Sequence, residues 1–194
     1  MYLYMLPTEA EEASLVGTER AVVRPTSDGG KEITSATFAD AADWLSRAQQ
    51  GDIILFPPQF YLLTLLSELF SEATKGGEPE ANVFQRQRVA LREFVNRPRR
   101  GQATATHPAD LSRQVPWTEK VLSPKPVGFL DDGRVILALD APGPELKDTG
   151  RGGDYDRVVV LEFENGIPRH LEVMKRPEAV ARMRSKQGAK HFKM

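Results

Sequence analysis

Cysteine is absent from the 194 residues of this chain. That excludes disulfides and thiolate metal centres, and it fits a reducing compartment. Histidine is scarce, three in all, and His107, His170 and His191 share no metal-ligand spacing. An excess of one charge is missing too: 26 Lys and Arg stand against 27 Asp and Glu. A dedicated nucleic-acid binder carries a marked basic excess, so that class is disfavoured. No apolar run is long enough to span a bilayer, and the N-terminal segment lacks the charged and apolar regions of a secretory signal. The expectation is a soluble intracellular protein without membrane or nucleic-acid partners, in the cytoplasm, with peroxisome or mitochondrion as alternatives. For the peroxisome, the terminal Phe192-Lys193-Met194 matches the targeting tripeptide only in its last two residues. A Gly-x-Ser-x-Gly nucleophile elbow and a Walker-type phosphate loop are absent as well.

What is present is an ordinary globular composition, with 27% charged and 40% hydrophobic residues, in a chain long enough for one sizeable core. The most apolar stretch is 51–71. Asp52-Ile53-Ile54-Leu55-Phe56 is too short for a helix and is closed by two prolines, so it reads as a buried strand or an extended lead-in. Pro57-Pro58 suits a first helical turn, where the missing N–H has no intrahelical partner. Beyond it Phe60, Leu63, Leu66 and Phe70 recur near helical spacing, with Leu62, Leu65 and Leu69 beside them, which predicts a core helix with a wide apolar face.

Before that stretch, 1–6 and 21–25 read as strands, 8–17 as a solvated acidic loop or short helical turn, and Ser27-Asp28-Gly29-Gly30 as a turn. A helix is expected over 37–45, capped by Ser35 or Thr37, with Phe38, Ala41, Ala42 and Leu45 inward. Trp44 on it is a core residue or a surface for a nucleotide base. After a Gly-Gly linker, Asn82 opens an amphipathic helix to about Asn96. Arg86, Arg88, Arg92, Arg97, Arg99 and Arg100 make this the most basic region, either a solvated face or a grip for phosphate. A long polar loop, 101–116, carries His107 and Asp110. The final third is β: apolar runs 121–130, 134–139, 157–163 and 171–174 are separated by Asp131-Asp132-Gly133, a Gly- and Pro-rich stretch and Glu164-Asn165-Gly166. The Asp-Gly and Asn-Gly pairs predict type I′ turns and two hairpins in an antiparallel sheet. Incomplete alternation in Val158 to Phe163 predicts one strand buried on both faces. The basic end, 175–194, reads as a frayed helix or tail.

The order Asp43-Trp44-Leu45, Gln49-Gln50-Gly51 and Ile54-Leu55-Phe56-Pro57-Pro58-Gln59-Phe60-Tyr61 resembles Nudix hydrolases of the coenzyme A diphosphatase type. Those proteins carry a tryptophan-led helix followed by a Pro-Pro helix. The opening Met1-Tyr2-Leu3-Tyr4-Met5-Leu6-Pro7 is similar to the aromatic strand after that family's catalytic helix, and the resemblance runs to about Phe70. It implies an α/β (α+β) fold, a partial Nudix-like α/β/α sandwich with an antiparallel C-terminal sheet. In segments, 1–75 would be the Nudix-like core, 76–116 a helix and loop insertion, 117–176 a β extension and 177–194 a tail, in one compact domain. It also implies diphosphatase activity on coenzyme A or nucleoside diphosphate derivatives with Mg or Mn, and Glu32 as a candidate acid/base. Trp44, Phe56, Gln59, Phe60, Tyr61, Arg88 and Arg92 are the candidate substrate-binding residues, and a homo-oligomer is compatible with the sequence.

The family's chemistry needs a glutamate-rich box, Arg-Glu-U-x-Glu-Glu-x-Gly-U with U a bulky aliphatic residue, that holds the metals. The nearest stretch, Glu9-Ala10-Glu11-Glu12-Ala13-Ser14-Leu15-Val16-Gly17, lacks the Arg-Glu pair and misplaces the glycine. No metal ligand is therefore assigned here, and the box is expected ahead of Met1. The alternative is a box-less relative kept as a ligand-binding or protein-interaction module.

Overall fold

The structure is a computed structural model that describes residues 37, 39–75, 82–96, 112, 114–146, 149 and 151–183. The chain divides into a unit Met1–Asp40 and a unit Ala41–Met194, and every element below belongs to the second. The expected strands 1–6 and 21–25, the 27–30 turn, Phe38, Arg97, Arg99, Arg100, His107, Asp110, His191 and Glu32 lie outside the described residues.

Helix α1 spans Ala41–Gln50, starting and ending later than the predicted 37–45. Its buried residue is Ala48, while Ala42, expected inside, faces solvent. Gly51 ends the helix at φ +84°. Its N–H donates to Ala48 O at 3.2 Å and that of Asp52 to Arg47 O at 2.9 Å, the paired bonds of a glycine C-terminal cap.

The segment Ile53 to Phe56 forms neither strand nor helix, with a bend at Ile53 and extended backbone at Phe56, and Ile54 and Phe56 are 48% and 60% exposed. The strand reading fails here because the prolines that follow cannot donate to a ladder. They open helix α2, Pro57–Thr74, as expected. Its lead turn is closed from both directions: Phe60 N donates to Phe56 O at 3.0 Å, and Phe56 N donates to Gln59 Oε1 at 2.9 Å. The fully buried side is Pro57, Phe60, Tyr61 and Leu65. It is rotated from the Phe60-Leu63-Leu66-Phe70 stripe, whose last three members are half-buried. Helix α3, Val83–Asn96, buries Leu91 and packs on α2.

The last third folds into four antiparallel strands in sequential order: β1 Lys125–Phe129, β2 Val135–Leu139, β3 Asp154–Glu164 and β4 Ile167–Lys175. A short helix α4, Arg176–Ala181, follows. Asn165 and Gly166 both take positive φ, +53° and +79°, so that hairpin has the expected type I′ turn. At Asp132-Gly133 only the glycine does, at +95°. Leu130 N reaches Arg134 O at 2.9 Å and Gly133 N reaches Leu130 O at 3.1 Å. This is a turn closed by a left-handed glycine, longer than the I′ form the dipeptide suggests, because Asp131 adds a residue to the loop.

Each face of the sheet carries a buried core, while Val127, Phe129 and Phe163 at its margins stay exposed. Leu137, Leu139, Val159, Leu161 and Leu171 pack with Ala48, Phe60, Tyr61 and Leu65 under α1 and α2. Ile136, Val158, Val160 and Met174 form the opposite core with Leu130 and Ala179 of α4. Residues 158–161 of β3 are at most 1% exposed, so the strand expected to be buried on two sides is β3. The described fold is thus α+β with helices on a four-stranded antiparallel sheet. No described helix is long and apolar enough to cross a membrane.

Candidate functional site

A cleft of about 480 Å³ opens where α2, α3, the start of β3 and the β4–α4 junction meet. Leu65 and Leu69 of α2, Phe94 of α3, Trp117 and Pro177 give it apolar walls. Trp117 sits on a single 3₁₀ turn, Trp117–Glu119. Its ring stacks on Phe94 at 5.2 Å between centroids and on Tyr61 at 6.3 Å, with interplanar angles of 25° and 26°. Offset stacking of this kind fixes an aromatic wall rather than leaving it to rotate.

The polar walls come from Glu68 and Glu72 on α2, Asp154, Asp156 and Arg157 on β3, and Lys175 at the end of β4. Asp154 is 7% exposed. It accepts the Tyr61 hydroxyl on Oδ2 and the Asp156 N–H on Oδ1 at 3.1 Å. Two residues apart on one strand, Asp154 and Asp156 both line the cleft. Arg157 Nη1 donates to Glu68 Oε2 at 2.7 Å. Burial works against that guanidinium's charge. The Glu68 hydrogen bond and charge, with lesser help from Tyr61 and Asp154, outweigh it and raise the pKa above the usual arginine value.

A small knot behind the cleft sets where β3 begins. Buried Ser112 donates to Gly153 O at 2.7 Å and accepts Tyr155 N–H at 3.1 Å. Lys120 donates to Gly153 O at 2.9 Å while its ammonium lies 5.3 Å from the Trp117 ring. Glycine is required at 153: a Cβ there would stand 1.6 Å from Leu139 O.

The residues singled out from the sequence stand elsewhere. Phe60 and Tyr61 are core, 3% and 0% exposed, and Tyr61 touches the cleft lining through Asp154 and Trp117 without lining it itself. Phe56 is at the surface and Gln59 closes its own helix. Trp44 is half-buried under the Arg47 guanidinium at 4.8 Å. Arg88 and Arg92 lie on α3 with half-buried and exposed side chains, and the cleft wall does not include them. The residues missed are Trp117, Asp154, Asp156, Arg157 and Lys175. Their one signal was Asp154-Tyr155-Asp156-Arg157, a charged opening on a strand that is otherwise apolar.

Among the described residues no three His, Asp or Glu side chains converge as a metal-holding group. The described carboxylates therefore do not fit the divalent pair that the Nudix resemblance implies. No family model, curated protein or solved structure matches this chain.

Proposed function

We propose that this chain is a ligand-binding module, resembling the part of a Nudix hydrolase that follows the box, whose cleft takes the planar end of a nucleotide- or coenzyme A-type molecule. The observation that carries this reading is the stacked Trp117–Phe94 wall on a cleft of about 480 Å³, a size within the range of small-molecule sites. An aromatic wall offers a flat ring area, and the carboxylates of Asp154 and Asp156 accept hydrogen bonds from amino groups on its edge. Four carboxylates against Arg157 and Lys175 in the lining make the depth of the cleft unfavourable for phosphate. Any diphosphate then stays at the mouth, beside exposed Lys175.

The chain has two tryptophans, so a Trp44→Phe variant leaves Trp117 as sole reporter. Coenzyme A and ADP-ribose are expected to quench its emission saturably, with half-effect below about 1 mM, a binding free energy near −4 kcal/mol. A flat titration with both ligands rejects the reading. The hydrolase alternative is decided in the same tubes: diphosphate cleavage above blank with Mg²⁺ or Mn²⁺ replaces a binding module with an enzyme.

A further inference from the structure

Four carboxylates line the cleft, Glu68 and Glu72 from α2 and Asp154 and Asp156 from β3, the composition of a divalent cation site, yet three of them are already committed within the protein. Glu68 holds Arg157 at 2.7 Å. Asp154 receives the Tyr61 hydroxyl and the Asp156 N–H. Glu72 pairs with Lys75, just past the end of α2, and Asp156 is tied to Asp154 through its N–H. A cation such as Mg²⁺ demands near-octahedral oxygen ligands and parts reluctantly with its own water. To bind here it would have to draw Glu68 from Arg157 and Asp154 from Tyr61. Arg157 would then be a half-buried cation without its Glu68 partner, and the Tyr61 hydroxyl would lose its bond to a nearly buried carboxylate, both costly changes.

We infer that these carboxylates brace the cleft and do not hold a metal: Glu68–Arg157 and Tyr61–Asp154 tie α2 to β3 at two points, seven residues apart on the helix and three on the strand. The ligand then enters without a divalent ion. The second clause rests on the ligand-binding reading above; the first does not.

The two are tested separately. Mn²⁺ is titrated into wild type, Glu68→Gln and Asp156→Asn, following the free-ion electron paramagnetic resonance signal, with melting temperature recorded for each. The expected result is the same Mn²⁺ isotherm for all three proteins, including any Mn²⁺ held by carboxylates outside the cleft, and a lower melting temperature for Glu68→Gln. Mn²⁺ affinity that falls about tenfold or more in either variant overturns the inference, that being the penalty for loss at a metal site. In the second arm, the Trp117 titration with coenzyme A is run in excess MgCl₂ and in EDTA. Half-effects within about twofold support metal-free binding, and a weakening of about tenfold in EDTA overturns it. A titration flat in both buffers removes the nucleotide-type ligand and with it the second clause, while the Mn²⁺ arm still decides the bracing.

Discussion

Tyr61 is the residue on which sequence and structure diverge most usefully. Its place beside the Pro-Pro pair suggests a side chain lining a pocket, yet it is 0% exposed and its hydroxyl is given to Asp154, 93 residues away. Helical periodicity could place Tyr61 on a helix, but no local pattern reveals a partner that distant. Removing the hydroxyl leaves a nearly buried carboxylate oxygen without its donor, which costs about 1–3 kcal/mol. Tyr61→Phe keeps the ring and its stacking on Trp117 and removes what the hydroxyl contributes, its bond to Asp154 foremost. In urea denaturation at neutral pH the variant is expected to lose stability in that range with an unchanged m-value. A loss under about 0.5 kcal/mol, the level of a neutral surface change, would mean that the pair contributes no net stability.

At the scale of elements, much of the fold could be read in advance where short-range chemistry decides it. The Pro-Pro start of α2, the Asn165-Gly166 hairpin and the doubly buried β3 all follow from backbone rules or from a run of apolar residues. What could not be read is orientation. The buried side of α2 passes through Tyr61 and Leu65 because both α1 and the sheet press on it, and a helix that is apolar nearly all round does not state which side that will be. Nor was the cleft legible, since its walls come from 65 to 177 and meet only in the fold. β4 carries a further unsignalled feature. The register between β3 and β4 shifts after Val160, and His170 lies in that interval with φ +50°, a conformation that side-chain-bearing residues adopt at a cost. Its imidazole is 64% exposed, with only a 3.6 Å approach to Glu162. Glycine at 170 escapes the steric cost of about 1 kcal/mol, whereas valine adds β-branching to it. His170→Gly is therefore expected to melt at or above the wild-type temperature and His170→Val below it. The reverse order would show that the imidazole contact outweighs the backbone.

At the largest scale, among the described residues of the second unit, the sheet separates two cores that share no buried residue: one under α1 and α2, the other under α4. Neighbouring positions of β2 and β3 alternate between them, as Ile136 and Leu137 or Val160 and Leu161 do. A cavity opened on one side is therefore walled from the other by a layer of hydrogen-bonded backbone. Leu65→Ala on the larger core is expected to cost about 2–5 kcal/mol, and Ile136→Val on the smaller one about 0.5–1.5 kcal/mol. The two sites touch no common partner within either cluster, so their effects should sum to within about 0.5 kcal/mol in the double variant. Chemical denaturation of the four proteins closes the cycle. A double variant that loses markedly more or less than the sum would mean that strain crosses the sheet through β2, β3 or β4, each of which gives residues to both cores. Additivity has a consequence for the cleft. Its walls draw on α2, α3, β3 and the β4–α4 junction, so Leu65→Ala, which removes a lining side chain, should weaken the Trp117 response to coenzyme A. Ile136→Val, on the far side of the sheet, should shift stability and leave that response unchanged.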